Sequence, residues 1–288
     1  MKPKPPADQH RRLLLRVLLA GLARVRPESQ RYLQDHPEQF ELISWTHAFY
    51  GSYRDIGLDI GGVERILDQP KASSADIREI DSSLRRALRL WHLFGDSVPL
   101  LSRIIARPDL KLTLQEVKRY LENGNGIADS IRAMLKEALL KAWRDGDRVL
   151  LIGHSLGSVI AYDTLWELSQ EAKGQGEVEL LLTFGSPLAT RFIRKSIKGA
   201  GHPRETRYPT NIRRWVNCSA TGEMTALHSR LAPFFGAIVE VGAAESLVDL
   251  VDLYNHYRDD DGHLNVHKSF GYLVNATVAT TIGDWLAQ

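Results

Sequence analysis

Hydrophobic and polar positions change their spacing several times along the 288 residues. Leu14, Val17, Leu18 and Leu22 recur at three- and four-residue steps with Arg12, Arg16 and Arg24 elsewhere, which predicts an amphipathic helix with one face on a core. Phe40 to Thr46 (FELISWT) is apolar and aromatic, follows a proline and ends near Gly51, which predicts a buried strand. From Gly62 to Arg144 helical spacing returns. Ile77, Ile80, Leu84, Ala87, Leu88 and Trp91 line one side of Asp76 to Trp91, and Ser97 to Ala106, Thr113 to Leu121 and Asp129 to Trp143 read alike. Thr113 with Glu116, and Asp129 after the Asn123-Gly124-Asn125-Gly126 turn, predict amino-terminal caps.

After Gly146 the texture changes. Val149 to Ile152 is a continuous apolar run without alternation, the mark of a strand covered on both faces. A helical pattern follows over Leu156 to Ser169, then two more such runs, Leu180 to Phe184 and Ile212 to Val216. Strands separated by helices imply crossovers and a parallel sheet. Leu247 to Tyr257 fits either a strand or a helix, and Asn275 to Leu286 predicts a closing helix with Val278, Ile282 and Trp285 or Leu286 inward. No repeat or low-complexity linker interrupts the chain. The expected architecture is one α/β domain over 1–288, a mostly parallel central sheet flanked by helices, with a helical cap or insertion over 62–144 and a core segment over 148–288.

Composition narrows the picture by exclusion. Thirty-seven Lys+Arg against 35 Asp+Glu leave a net charge of +2, without the basic excess of a nucleic-acid binder. The 43% hydrophobic share is that of a globular protein, not of a disordered chain. A single cysteine, Cys218, rules out an internal disulfide framework and a cysteine-based zinc site, so a reducing, cytoplasmic setting is expected. Leu13 to Ala23 follows Lys2, Lys4, Arg11 and Arg12 as a signal peptide would. Arg16 interrupts its apolar run, and no good cleavage site precedes Arg24. A weak membrane-surface contact through residues 10–26 is the alternative use of that helix.

The chemistry concentrates in Arg148 to Asp163, where Gly153-His154-Ser155-Leu156-Gly157 stands between a predicted strand and a predicted helix. G-x-S-x-G in that context is a sharp turn that strains the serine backbone, and glycines at 153 and 157 avoid collisions. The hydroxyl would stand exposed at the carboxyl end of the sheet, with the Leu156 N–H and the helix start facing a developing oxyanion.

With Leu182-Thr183-Phe184-Gly185-Ser186-Pro187, Arg213-Arg214-Trp215-Val216-Asn217 and Asn265-Val266-His267-Lys268-Ser269-Phe270-Gly271-Tyr272 following in order, the chain from about Arg148 resembles the α/β-hydrolase superfamily, in its lipase- and esterase-like branch. The resemblance implies acyl transfer on Ser155, with acid and histidine following in that chain order. His256, His263 and His267 then remain as bases, and the flanking residues favour His267, with His263 second. Glu223 is the favoured acid, although the family more often has aspartate; Asp249 and Asp252 are alternatives. No metal or organic cofactor is implied. The expected partner is a small-molecule or lipid-like ester, and thioester hydrolysis or acyl transfer would use the same triad. A non-catalytic binding or scaffold module is the rival reading.

Two further stretches invite other chemistry. Asn255 to His263 offers carboxylates and imidazoles, but lacks the ligand spacing of a calcium loop and reads as a solvated acidic turn. Arg191 to Arg207 is basic and reads as polar surface. The family's early oxyanion loop has no counterpart, because Thr46 to Gly51 does not look like it, and Met1 to Pro6 resembles sequence beyond a preceding strand. The expectation is a chain that starts one strand late.

Overall fold

The computed structural model describes residues 3–82, 108–223 and 228–288. In chain order the helices and strands are α1 (Ala7–Val25), α2 (Pro27–Asp35), α3 (Thr46–Tyr50), α4 (Gly57–Asp68), α5 (Ser74–Ile80), α6 (Pro108–Glu122), α7 (Ile127–Asp145), β1 (Leu150–His154), α8 (Leu156–Glu171), β2 (Val178–Phe184), α9 (Arg191–Ser196), β3 (Ile212–Ala220), β4 (Ser246–Leu253), α10 (Ser269–Leu273) and α11 (Ala276–Leu286). The described residues divide into two compact units. One holds 108–219, 223 and 228–251; the other holds 3–82, 220–222 and 252–288. Within 62–144, α4 and α5 thus belong to the second unit, and α6 and α7 to the first.

The first unit is built on a sheet in the order β1-β2-β3-β4. β1 pairs parallel with β2, Gly153 opposite Thr183 and His154 opposite Phe184, and β2 pairs parallel with β3. β2 is a continuous apolar run because it is central, and Leu180 to Phe184 are all buried. β1 differs from expectation. Among the described residues it is the sheet's edge, and Leu150, Leu151 and Ile152 are only half-buried. Leu247 onward proves to be strand, ending at Leu253.

Helix α8 buries Val159, Ile160, Tyr162, Leu165 and Leu168. Tyr162 meets Trp215 of β3 and Phe235 with ring centroids 6.0 and 5.6 Å apart. Cross-strand polar bonds run through the same sheet: Trp215 Nε1 donates to Thr183 Oγ1, which donates to Asn217 Oδ1, and Asn217 Nδ2 donates to Asp249 Oδ1 at 2.8 Å. The cap expectations change here. α6 begins at Pro108, so Thr113 lies inside it, and Asn123 rather than Asp129 caps α7 by accepting the N–H groups of Ala128 and Asp129.

The second unit is helical. α1 turns Leu14, Val17, Leu18 and Leu22 inward and packs on α2, α10 and α11. A Cβ at Gly21 would lie 2.6 Å from the Leu273 carbonyl, so the backbones approach as only glycine allows. Asn275 caps α11 by accepting the Thr277 N–H, and Val278 and Ile282 are buried as expected. The strand expected at Phe40 to Thr46 is not formed. Pro37 starts a single 3₁₀ turn, the Phe40 carbonyl accepts Arg11 Nε at 2.6 Å, and Thr46 already opens α3, so the segment has no ladder partner among the described residues. Of the Asp76 to Trp91 helix, α5 covers only the first part and ends at Ile80, with Asp81 as its C-cap; residues 83–91 and Ser97 to Ala106 lie outside the described residues. Among the described residues no helix is long and apolar enough to cross a membrane.

A buried polar cluster ties α6, α7 and α8 together. Asp163 accepts the Tyr120 hydroxyl at 3.0 Å and the Lys198 N–H at 2.8 Å, and Arg132 donates to Tyr120 and pairs with Glu167. Burial pushes the Asp163 carboxyl up to about 6, against the pull of these donors. Unfolded, it would titrate near ~3.9, so between the two values the folded chain retains a proton that the unfolded chain has lost. The Asp163 contribution to stability is therefore full below about pH 4 and declines by roughly 3 kcal/mol as pH rises past about 6. In urea titrations between about pH 4 and 7, the stability of the wild type relative to Asp163→Asn should fall over that window; a pH-independent difference would contradict the assignment.

Candidate active site

The turn from β1 into α8 holds a non-glycine residue at positive φ. Ser155 has φ 54° and ψ −125°, a conformation that costs an ordinary residue roughly 1–3 kcal/mol. Three hydrogen bonds hold it there. Its N–H donates to the Phe184 carbonyl at 2.9 Å, extending the β1–β2 ladder past the strand end, and its carbonyl accepts both the N–H and the hydroxyl of Ser158, at 2.9 and 2.6 Å. Ser158 Oγ also meets Ser186 Oγ at 2.7 Å, which ties the turn to the β2 exit. The motif gives Ser158 and Ser186 no such role; the signal was a serine three residues into the helix and another at the following strand end.

A serine at this position normally caps the helix with its hydroxyl. Here the strained backbone turns Oγ away, and Ser155 makes no side-chain cap bond. Oγ is buried and, among the described residues, without a hydrogen-bond partner. The side chain is 0% exposed, not standing in solvent as the motif predicts. Leu156 is buried beside it, and its N–H is one of the amino-terminal groups a helix leaves without an internal partner. The glycines do unequal work. A Cβ at Gly153 would lie 2.8 Å from Ser158 Cα, whereas one at Gly157 would meet nothing within 4 Å. The collision expected at 157 is absent because that Cα faces open space. His154, the last residue of β1, is half-buried.

Glu223 belongs to the same unit. It follows β3 by three residues, after Gly222 at φ 77°, and is 1% exposed. Since the strands are parallel, Ser155 and Glu223 leave the same edge of the sheet, one beyond β1 and the other beyond β3. The two alternative acids are otherwise disposed. Asp249 accepts Asn217 Nδ2 and the Leu231 N–H on Oδ1 and the Ala232 N–H on Oδ2. Asp252 is exposed, with φ 62°.

The histidines lie in the helical unit. His267 precedes α10 and is half-buried, with its N–H bonded to Asn265 Oδ1 at 3.1 Å. His263 is 79% exposed beside Asp259, and His256 Nε2 is 2.8 Å from the Gln69 carbonyl. Residues 257–265 form a hairpin closed by an Arg258–Leu264 bridge. At its tip the polar atoms of Asp259, Asp261 and His263 lie within 4.8 Å of one another, largely exposed, and Asp259 Oδ1 accepts the His263 N–H. The lone thiol offers no competing nucleophile. Burial, with Asp249 beside it, pushes Cys218 up to about 12.

Compared with protein-family models, curated proteins and solved structures, the chain matches none. The geometry at 153 and 157 gives a contrast to measure. Gly153→Ala should destabilise the fold by roughly 1–3 kcal/mol through the clash with Ser158, and Gly157→Ala should be neutral or stabilise by up to about 1 kcal/mol through helix propensity. Denaturant titrations of the two variants read the difference directly, and equal losses would refute it.

Proposed function

We propose that the chain is a serine hydrolase of carboxylic esters that works through an acyl-enzyme on Ser155. One observation carries the reading. A serine at the start of a helix is held at positive φ by its neighbours, and its hydroxyl is withheld from the capping bond that would otherwise occupy it. A structural serine gains nothing from that strain, whereas a nucleophile needs the free oxygen. The GHSLG pattern and the resemblance to α/β-hydrolases point the same way.

In this reading the His267 imidazole removes the Ser155 proton as Oγ attacks the ester carbonyl. The Leu156 N–H and the amino end of α8 stabilise the oxyanion. The imidazolium then protonates the leaving alcohol, and water, activated by the same histidine, releases the acid. Glu223 holds the imidazole tautomer and offsets its charge. The burial of Glu223, the three structural bonds on Asp249 and the exposure of Asp252 favour this choice of acid. The polar uses of His256 and the exposure of His263 favour His267. A second reading, a binding or scaffold module on the same fold, draws on the complete burial of Ser155.

A fluorophosphonate probe separates the two readings. The wild type should be labelled and Ser155→Ala should not; an unlabelled wild type, or equal labelling of both, would sink the hydrolase. On a chain-length series of esters and thioesters, Ser155→Ala should lose at least about 10³ in kcat, and Glu223→Gln roughly 10²–10⁴ with KM little changed.

A further inference from the structure

The helical unit contains a buried charge cluster one residue away from His267. Asp59, on α4, is 2% exposed and receives donors on both oxygens. The Arg54 guanidinium binds Oδ2, and the Lys268 ammonium and, at 3.4 Å, the Tyr257 hydroxyl reach Oδ1. Lys268 Nζ also lies 5.3 Å from the ring centres of both Tyr257 and Phe270. Burial alone would raise the Asp59 carboxyl, but Lys268 and Arg54 hold it below the ordinary carboxylate range, so it stays ionised. Burial draws Lys268 down, and Asp59 opposes it. His10 of α1 stands in the same field. Burial, with Lys4, Lys268 and Arg54, pushes it down to about 3, so it stays neutral beside Phe270.

The backbone of Lys268 is fixed as firmly as its side chain. Its N–H donates to the Asn265 carbonyl at 3.2 Å, and its carbonyl accepts Asn255 Nδ2 at 2.8 Å. Asn255 in turn fills the space where a Cβ on Gly271 would stand. A buried ion cluster of this kind is near-neutral in stability compared with apolar packing of the same volume, so what it supplies is geometry. We infer that Asp59, acting through Lys268, is the positioning residue for the His267 imidazole, an inference that rests on the hydrolase reading of His267. Locking the residue next to a general base removes the freedom that would otherwise misdirect the ring.

The test uses the full chain with Asp59→Asn, Lys268→Met and the double variant, read by ester kinetics, by the rate of fluorophosphonate labelling and by amide hydrogen exchange over residues 262–270. Each single substitution should lower kcat by roughly 10–100-fold with KM changed less than about twofold, slow labelling by the same factor and speed exchange in that segment. The double variant should be no slower than the worse single, because one interaction is lost in all three. If a single variant fails to fold, the double, which removes both members of the Asp59–Lys268 pair, carries the same expectation. Wild-type kcat or wild-type exchange in a folded variant overturns the inference, as do losses that multiply in the double. Ser155→Ala and His267→Gln run beside them. If those two retain activity, the hydrolase reading fails and takes this inference with it. If they are dead while the Asp59 and Lys268 variants match the wild type, this inference alone fails.

Discussion

At position 153 the space that a side chain would fill is taken by the start of the following helix, with Ser158 Cα 2.8 Å from where a Cβ would stand. That close approach lets a parallel strand turn into a helix within one residue, and the architecture of the sheet unit follows from it. The Ser155 N–H can still reach the Phe184 carbonyl, so the β1–β2 ladder runs to the very turn. α8 then packs back on the sheet, which brings Tyr162 against Trp215 of β3. The strain at Ser155 is carried by bonds on both sides of the reversal and by the Ser158–Ser186 contact to the next strand. Loosening any of these would return the serine to an ordinary capping conformation, with its hydroxyl engaged by the helix.

Both units bury a carboxylate, and they solve the problem in opposite ways. Asp163 is met mainly by neutral donors, a backbone N–H and a tyrosine hydroxyl, so burial dominates and the group keeps its proton into mildly acidic pH. Asp59 is met by two cations at close range, so it stays charged. The first arrangement needs no cation pinned against the carboxylate itself and suits a junction of three helices. The second fixes the positions of three long side chains at once, a larger entropic cost that makes sense where direction matters more than stability.

Much of the sheet unit was legible in the sequence because a central parallel strand must be apolar on both faces, and Leu180 to Phe184 is such a run bounded by helical spacing. The same rule misled at the ends. Val149 to Ile152 reads as fully buried, although β1 is the edge among the described residues, and Phe40 to Thr46 has strand-like residues but no neighbour to pair with. Hydrophobic pattern reports what a segment can bury, not whether a ladder partner exists. The turn at Ser155 was legible through its glycine spacing, and the glycines' unequal roles were not, since they depend on which way each Cα faces. Asp59 and Asp163 were invisible. Each sits in a helix that carries two other acids and is not marked out from them by its spacing, and its decisive partners lie far along the chain, as the Asp59–Lys268 pair shows.

In the proposed hydrolase, the choice of acid shows how structural duty and chemical duty compete for the same functional group. A carboxylate that orients an imidazole must keep an oxygen directed at a ring N–H and must be shielded enough for that bond to matter. Asp249 sits on β4 opposite Asn217, and its oxygens close the sheet's polar bonds and the amino end of the short helix Ala232–Phe235. Recruiting it would strip three donors of their acceptor, each at a cost of about 1–3 kcal/mol where buried. Asp252 has the opposite defect. It is exposed, so water competes for any bond it makes. Glu223 meets the shielding condition and leaves the sheet at the same edge as Ser155, and it lies in the loop beyond β3, outside the ladder that Asp249 sustains. On the hydrolase reading proposed above, a glutamate in the β3 exit loop serves as acid in a sheet whose own aspartate is already committed to holding it together.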